Sequence, residues 1–144
     1  MTIASNSPAA EKAVIDKIAW LHIVDGRVLM ARSKGKDVYY LPGGKPEAGE
    51  SDSETLAREL DEELGIKIAP ASIRYFGVFE AEAHGKDADV LVRMTCYSSD
   101  FRGTIEAASE IAETAWLGYA DRDRVSAVNR LIFDCLHDKG LLND

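Results

Sequence analysis

Positive charge is in short supply in this chain. Its 17 Lys and Arg stand against 25 Asp and Glu, which leaves a net charge of −8 with the histidines neutral. A protein that grips a nucleic-acid polymer normally carries a basic patch and a basic balance, so no such polymer is expected as a partner. Small anionic substrates stay compatible with the composition if a divalent cation screens the local negative charge. Cysteine is almost absent: Cys96 and Cys135 belong to no CxxC pair or Cys/His cluster, so a structural zinc site has no support. They read as two buried thiols in a reducing compartment. No apolar run approaches the roughly 20 residues that a membrane helix needs, and no membrane partner is expected. Residues 1–12 are small and polar, without the apolar stretch of a secretory signal; they are expected to form a flexible tail on a cytoplasmic protein. The three histidines, His22, His84 and His137, share no ligand spacing and read as structural or surface groups. No serine has a partnered base, which removes nucleophilic serine chemistry.

What is present is enough apolar material for a core, with 46% of the 144 residues hydrophobic. That length suits one domain, expected over residues 13–144. Residues 15–24 read as a strand, Asp25-Gly26 as a tight turn, and 27–32 as the return strand. A short extended piece at 38–41 runs into Pro42-Gly43-Gly44, read as a loop. Residues 73–82 and 90–98 read as two strands joined by a polar turn at 84–89, and 114–117 as a further short strand. A C-terminal helix is expected over 123–137, with Val125, Val128, Leu131, Ile132 and Leu136 on its apolar stripe. The order of elements predicts a mixed sheet flanked by helices, one layered α/β unit.

The clearest helix is 51–64. Ser51 and Glu54 have capping-box spacing, and Gly65 stands where a C-terminal cap belongs. Leu56, Ala57, Leu60 and Leu64 fall on one arc, the core face. Glu59, Glu62 and Glu63 fall on the neighbouring arc, where like charges three and four residues apart cost a few tenths of a kcal/mol per pair. A lone charge run is usually just a solvated face. This one lies in the stretch 44–66, which holds eight acids and two bases, a net −6. Most of the chain's acidity is therefore local. Mg²⁺ takes hard oxygen ligands and is commonly held by carboxylates together with substrate phosphates, so a divalent ion would turn this repulsion into a site.

The flanking residues sharpen that reading. Gly44 is followed by five residues and Glu50, then seven residues and Arg58-Glu59-Leu60, one residue and Glu62-Glu63, one residue and Gly65-Ile66. This segment, GKPEAGESDSETLARELDEELGI, resembles the Nudix box at every fixed position. A chance match in a chain of this length is on the order of one in ten million from average residue usage.

The resemblance implies a Nudix-type α/β/α sandwich and a MutT-like, Mg²⁺-dependent hydrolase, with Mn²⁺ as a substitute ion. Its substrate would be a small nucleotide carrying a diphosphate linkage, a (deoxy)nucleoside triphosphate above all, with nucleotide sugars, ADP-ribose and dinucleoside polyphosphates as alternatives. It implies Gly44, through its carbonyl, Glu59, Glu62 and Glu63 as metal ligands, and Glu59 as the group that accepts a proton from water. Arg58 and Glu50 would hold the loop onto the helix, with Arg58 also a candidate catalytic group. An acid outside the box often joins such sites; the candidates are Glu110 and Glu113. For substrate contacts the candidates are Arg32, Tyr40 and Gly43, and alternation puts Tyr39 and Tyr40 on opposite faces. Gly65 closes the helix. A homodimer is left open. Two rival readings are a Nudix-fold sensor that does not cut, which would be expected to lose box carboxylates, and an isoprenoid-diphosphate isomerase, for which Cys96 lacks a partner acid.

Overall fold

A computed structural model describes residues 13–83 and 90–144. The N-terminal tail at 1–12, the turn at 84–89 and His84 lie outside the described residues. Among the described residues nine strands and two α-helices follow in order: β1 Ala13–Trp20, β2 Ile23–Val24, β3 Arg27–Ser33, β4 Gly43–Gly44, α1 Asp52–Leu64, β5 Lys67–Ile68, β6 Arg74–Glu82, β7 Val90–Ser98, β8 Phe101–Arg102, β9 Ile111–Leu117 and α2 Ala127–Asp138.

The main sheet runs β4-β1-β7-β6. Its central pair, β1 and β7, is parallel, with Lys17 beside Met94 and Ala19 beside Cys96. Its other pairs are antiparallel, so the sheet is mixed. A second sheet, β2-β3-β9, lies alongside. The segment before β4 touches both: Tyr40 bridges to Ala31 of β3, and the Pro42 carbonyl accepts the Trp20 N–H of β1 at 2.8 Å.

Alternation along β1 divides the core. Ile18 and Trp20 pack with Leu29, Leu56, Leu60 and Leu64, beneath α1. Ala19 and Leu21 pack with Met30, Met94 and Cys96, and with Val128, Ile132, Phe133 and Leu136 of α2. Opposite faces of the strands thus carry different helices, which makes the α/β/α layering that the residue pattern predicted.

Several elements differ from the sequence reading. The expected strand at 15–24 is interrupted at Leu21-His22, where the chain passes from one sheet to the other; His22 there stacks on the Trp20 ring at 4.6 Å. Gly43-Gly44, expected to be loop, is a two-residue strand paired with Ile18 and Ala19 of β1. α2 begins at Ala127, after a 3-10 turn over Tyr119–Arg124. Val125 is therefore not on the helix, although it is fully buried, and Leu131 faces solvent. The helix fills its inner face with Phe133 in Leu131's place. Cys96 is buried, and burial pushes its thiol up to about 12, whereas Cys135 is only half-buried.

α1 forms as its sequence dictates. The Ser51 hydroxyl accepts from the Glu54 N–H at 3.1 Å while Glu54 accepts from the Ser51 N–H at 2.9 Å, and Gly65 closes the helix in the left-handed conformation. Among the described residues no helix is long and apolar enough to cross a bilayer. Leu60 is fully buried, so Leu60→Ala should lower the unfolding free energy by about 2–5 kcal/mol. Ser51→Ala, which removes one half of the cap, should cost about 1 kcal/mol. Urea melts of the two variants at neutral pH check both values and their order.

Candidate active site

The site is organised by the glycine pair. Gly43 has φ of 140°, a backbone region that side chains rarely enter, and a Cβ there would strike the carbonyl oxygen of Ile18. A Cβ on Gly44 would run into the carboxylate of Glu59. The bare β4 edge therefore lets α1 approach the sheet closely. Glu63, one turn beyond Glu59, accepts the Gly43 N–H at 3.0 Å. Helical spacing of four thus sets two carboxylates over one glycine pair.

Arg58 binds the loop before α1 to the helix. Its fork donates to both oxygens of Glu50, at 2.7 and 2.9 Å, and to the Lys45 carbonyl at 3.0 Å. It also reaches Glu59 at 3.1 Å and Glu62 at 3.4 Å. A bidentate guanidinium–carboxylate pair is among the stronger side-chain hydrogen bonds. Glu50 accepts in addition from the Glu47 N–H and the Thr55 hydroxyl. With Arg58 first among the causes, its carboxyl is held down at about 2.

The other carboxylates behave in the opposite way. Burial pushes Glu63 up to about 8; the Gly43 N–H opposes this and the neighbouring Glu59 adds to it. Burial also raises Glu59, against the pull of Arg58. Glu62 is exposed on the outer side. Among the described residues no three His, Cys, Asp or Glu side chains already converge in ligating geometry, because the Arg58 guanidinium occupies the space between Glu59 and Glu62. The donor chemistry nonetheless fits a hard divalent cation. The available atoms are carboxylate oxygens, and one of them belongs to a buried group that burial alone drives towards its neutral form. Gly44, Glu59, Glu62 and Glu63 could hold such an ion, and Arg58 would have to yield part of its fork.

Glu59, Glu63, Gly43 and Gly44 line a cavity of about 520 Å³. Ile15, Lys17 and Ala19 of β1, Glu82 of β6, Val92 and Met94 of β7 and the start of α2 line it as well. Tyr40 lines it, while Tyr39 is buried in the core on the opposite face, as alternation predicts.

Arg32 and Glu113 are not brought to this cavity. They face each other across β3 and β9 and join through hydrogen bonds of 2.8 and 3.2 Å; Arg32 also donates to the Lys36 carbonyl. Glu110 ends a loop laid against α1, where Glu106 N–H donates to the Leu64 carbonyl and Ala108 N–H to that of Glu63. Its side chain is exposed. Sequence reasoning missed Lys17 and Asn129, both cavity residues. Asn129 is fully buried, accepting the Leu41 N–H at 3.2 Å and donating to the Ser126 hydroxyl at 2.7 Å. A charge inside the apolar run of β1 was the one signal for Lys17.

The Glu63 carboxyl gives stability a definite pH dependence in metal-free buffer. Its usual value is 4.5 and its folded value about 8, so between them the folded state holds the extra proton. The contribution is fully present below the lower value and is lost as pH rises through the upper one. Metal-free stability should therefore fall from about pH 5 to about pH 8. The stabilisation gained on adding Mg²⁺ should grow over the same interval, because the ion must displace that proton. Glu63→Gln should flatten both trends in urea melts; an unchanged slope in that variant would assign the dependence to another group.

Comparison with known proteins bears on the whole arrangement. The CTP pyrophosphohydrolase of Escherichia coli K12 is 30% identical over 98 residues, covering 65% of this chain and 69% of that protein. An RNA pyrophosphohydrolase of Halorhodospira halophila is 47% identical over 53 residues, 37% of this chain and only 28% of the relative's length. Among solved structures, the MutT protein of Methanosarcina mazei Go1 superposes with a TM-score of 0.70 at 21% identity, covering 90% of this chain and 97% of that one. The E. coli ORF135 protein gives 0.69 at 23% identity, covering 90% and 92%. At these identities the structural likeness speaks for the fold. The NUDIX domain family model matches residues 17–132, from the β1 lysine into α2, and with the box intact from Gly44 to Ile66 the chain belongs to the Nudix hydrolase family.

Proposed function

We propose that the protein hydrolyses nucleoside triphosphates to monophosphate and pyrophosphate in a reaction that depends on Mg²⁺, for which Mn²⁺ substitutes. The observation that carries this reading is the mixed lining of the cavity, which brings Glu59 and Glu63 of α1 together with lysines and with apolar residues such as Ile15, Val92 and Met94. A nucleotide combines the same chemistries, with a charged phosphate chain and a flat, largely apolar base. The names of relatives support the same class: one acts on CTP, and another, from Mycobacterium tuberculosis H37Rv and 54% identical over 33 residues, is called a putative 8-oxo-dGTP diphosphatase. The chain's own charge of −8 favours a small substrate over a polymer.

In this reading the side chains divide the work. Glu59, Glu62 and Glu63, with the Gly44 carbonyl, would hold the ion, which would supply positive charge to offset that of the diphosphate. Glu59, buried enough for its carboxyl to be raised, accepts a proton from the attacking water. Arg58 and Glu50 keep the loop and helix together, so the carboxylates meet the glycine edge in a fixed orientation. Tyr40 and the Gly43 backbone border the entering substrate.

Phosphate release from a panel of nucleoside triphosphates, nucleotide sugars, ADP-ribose and dinucleoside polyphosphates tests the substrate class. Activity should vanish with EDTA and return with Mg²⁺ or Mn²⁺; full turnover in metal-free buffer would sink the mechanism. Glu62→Gln and Glu63→Gln should each lower kcat on the order of 10²-fold or more, as the loss of other groups that stabilise transition-state charge does.

The two acids outside the box should separate. Glu113 is committed to Arg32, so Glu113→Gln should leave kcat near that of the wild type. Glu110 follows the segment hydrogen-bonded to the last turn of α1. Its loss should cut kcat and alter the acidic limb of the pH–rate profile, where a base becomes protonated. If Glu110→Gln matches the wild type across that profile, Glu59 alone supplies the base.

A further inference from the structure

β1 carries one charged residue into the cavity. Lys17 lines it between Ile15 and Ala19, beside Met94 of β7 in the sheet register. Its ammonium stands 5.7 Å from the centre of the Tyr40 ring. No ion pair and no hydrogen bond engages it among the described residues. The cost of this is visible in its titration: burial lowers the Lys17 value first, and Lys45 lowers it further, while Glu63 and Glu59 only partly compensate.

A strand selected for packing alone would place an apolar side chain here, since an ammonium withdrawn from water without a partner is destabilising. The Tyr40 ring face returns only part of that loss. Lys36 and Lys45 line the same cavity, and Lys45 follows Gly44, which pairs with Ile18 next to Lys17. Lys45 acts against the Lys17 charge, and Glu63 and Glu59 act in its favour. If those two carboxylates are engaged with a cation, a phosphate of the ligand would supply negative charge to Lys17 in their place.

We propose that Lys17 is a substrate-binding residue that grips a phosphate of the diphosphate chain, together with Lys45, in the cavity that Glu59 and Glu63 also line. This rests on the reading of the cavity as a nucleoside-diphosphate site and adds to it a binding role for a residue outside the box. A lysine is suited to the task as a compact charge with three donors on a flexible stem. It would fix how deep the phosphate chain sits and so bring one phosphorus into register with the carboxylates. Lys17 is a binding residue here and not a proton-transfer group.

The test compares the wild type with Lys17→Met and Lys17→Arg. Thermal melts come first; Lys17→Met should be at least as stable as the wild type, because a half-buried charge without an ion pair is gone. Turnover of the best triphosphate from the panel should then show KM raised about tenfold or more in Lys17→Met, with kcat falling by a smaller factor. Lys17→Arg should recover most of the loss. Calorimetry with Mg²⁺ and the non-hydrolysable α,β-methylene analogue of ATP should show the same loss of affinity. Binding of uncharged adenosine should be unaffected. An unchanged affinity for the analogue in Lys17→Met, or an equal loss for adenosine, would overturn the assignment while leaving the diphosphate reading intact. A wild type that binds neither the analogue nor pyrophosphate would remove that reading, and the role of Lys17 with it. If Lys17→Met unfolds, Lys17→Arg decides: a folded Arg variant with wild-type kinetics supports a charge role, and one whose KM rises about tenfold or more although a cation is kept overturns it.

Discussion

Close contact between α1 and a strand edge without side chains is the constraint from which the site follows. Two glycines pair with Ile18 and Ala19, and the helix descends until the Glu59 carboxylate rests where a Gly44 Cβ would be. β4 is the edge strand of its sheet, and the Gly43 N–H donates to the Glu63 carboxylate. The leucines on the inner arc of the helix hold it there through packing, and Arg58 ties down the preceding loop through hydrogen bonds to Glu50 and Lys45. Apolar burial thus supports a cluster of acids that electrostatics alone would disperse.

The protein also keeps two populations of carboxylate apart. Glu50 is surrounded by donors and stays ionised. Glu63, a few residues further along the chain, is buried where ionisation is unfavourable. The first serves architecture, and the second is suited to hold a cation. One helix and its leading loop generate both environments because donors cluster at the loop and the helix's inner flank faces the sheet.

Much of this was legible in the residues, for identifiable reasons. The limits of α1 were visible because Ser51, Glu54 and Gly65 are local signals that need no partner. The box was visible because its spacing is fixed by one helix. The mixed sheet and its two covering helices followed from the order of elements. What depended on distant partners was not legible. The salt bridge between Arg32 and Glu113 requires knowing that β3 lies against β9. Gly43-Gly44 gives no strand signal, since glycine has no side chain to alternate. In α2 three successive apolar residues, Leu131, Ile132 and Phe133, span more than one face, so periodicity could not say that the first of them points outward. Lys17 was hidden because a run of apolar neighbours conceals which side of a strand becomes a cavity.

The alternation of β1 has a consequence for the fidelity of assembly. Its side chains alternate between two chemically distinct compartments: Ile15, Lys17 and Ala19 line the cavity, and Ile18 and Trp20 enter the layer beneath α1. A slip of one residue against β7 would exchange the two sets. It would thrust an ammonium into the leucine layer and move Trp20, the largest fully buried side chain, to the face that packs against α2. A mispaired chain would therefore carry a trapped charge and a displaced indole. The lysine in the strand would thus penalise the nearest competing register before any ligand is present.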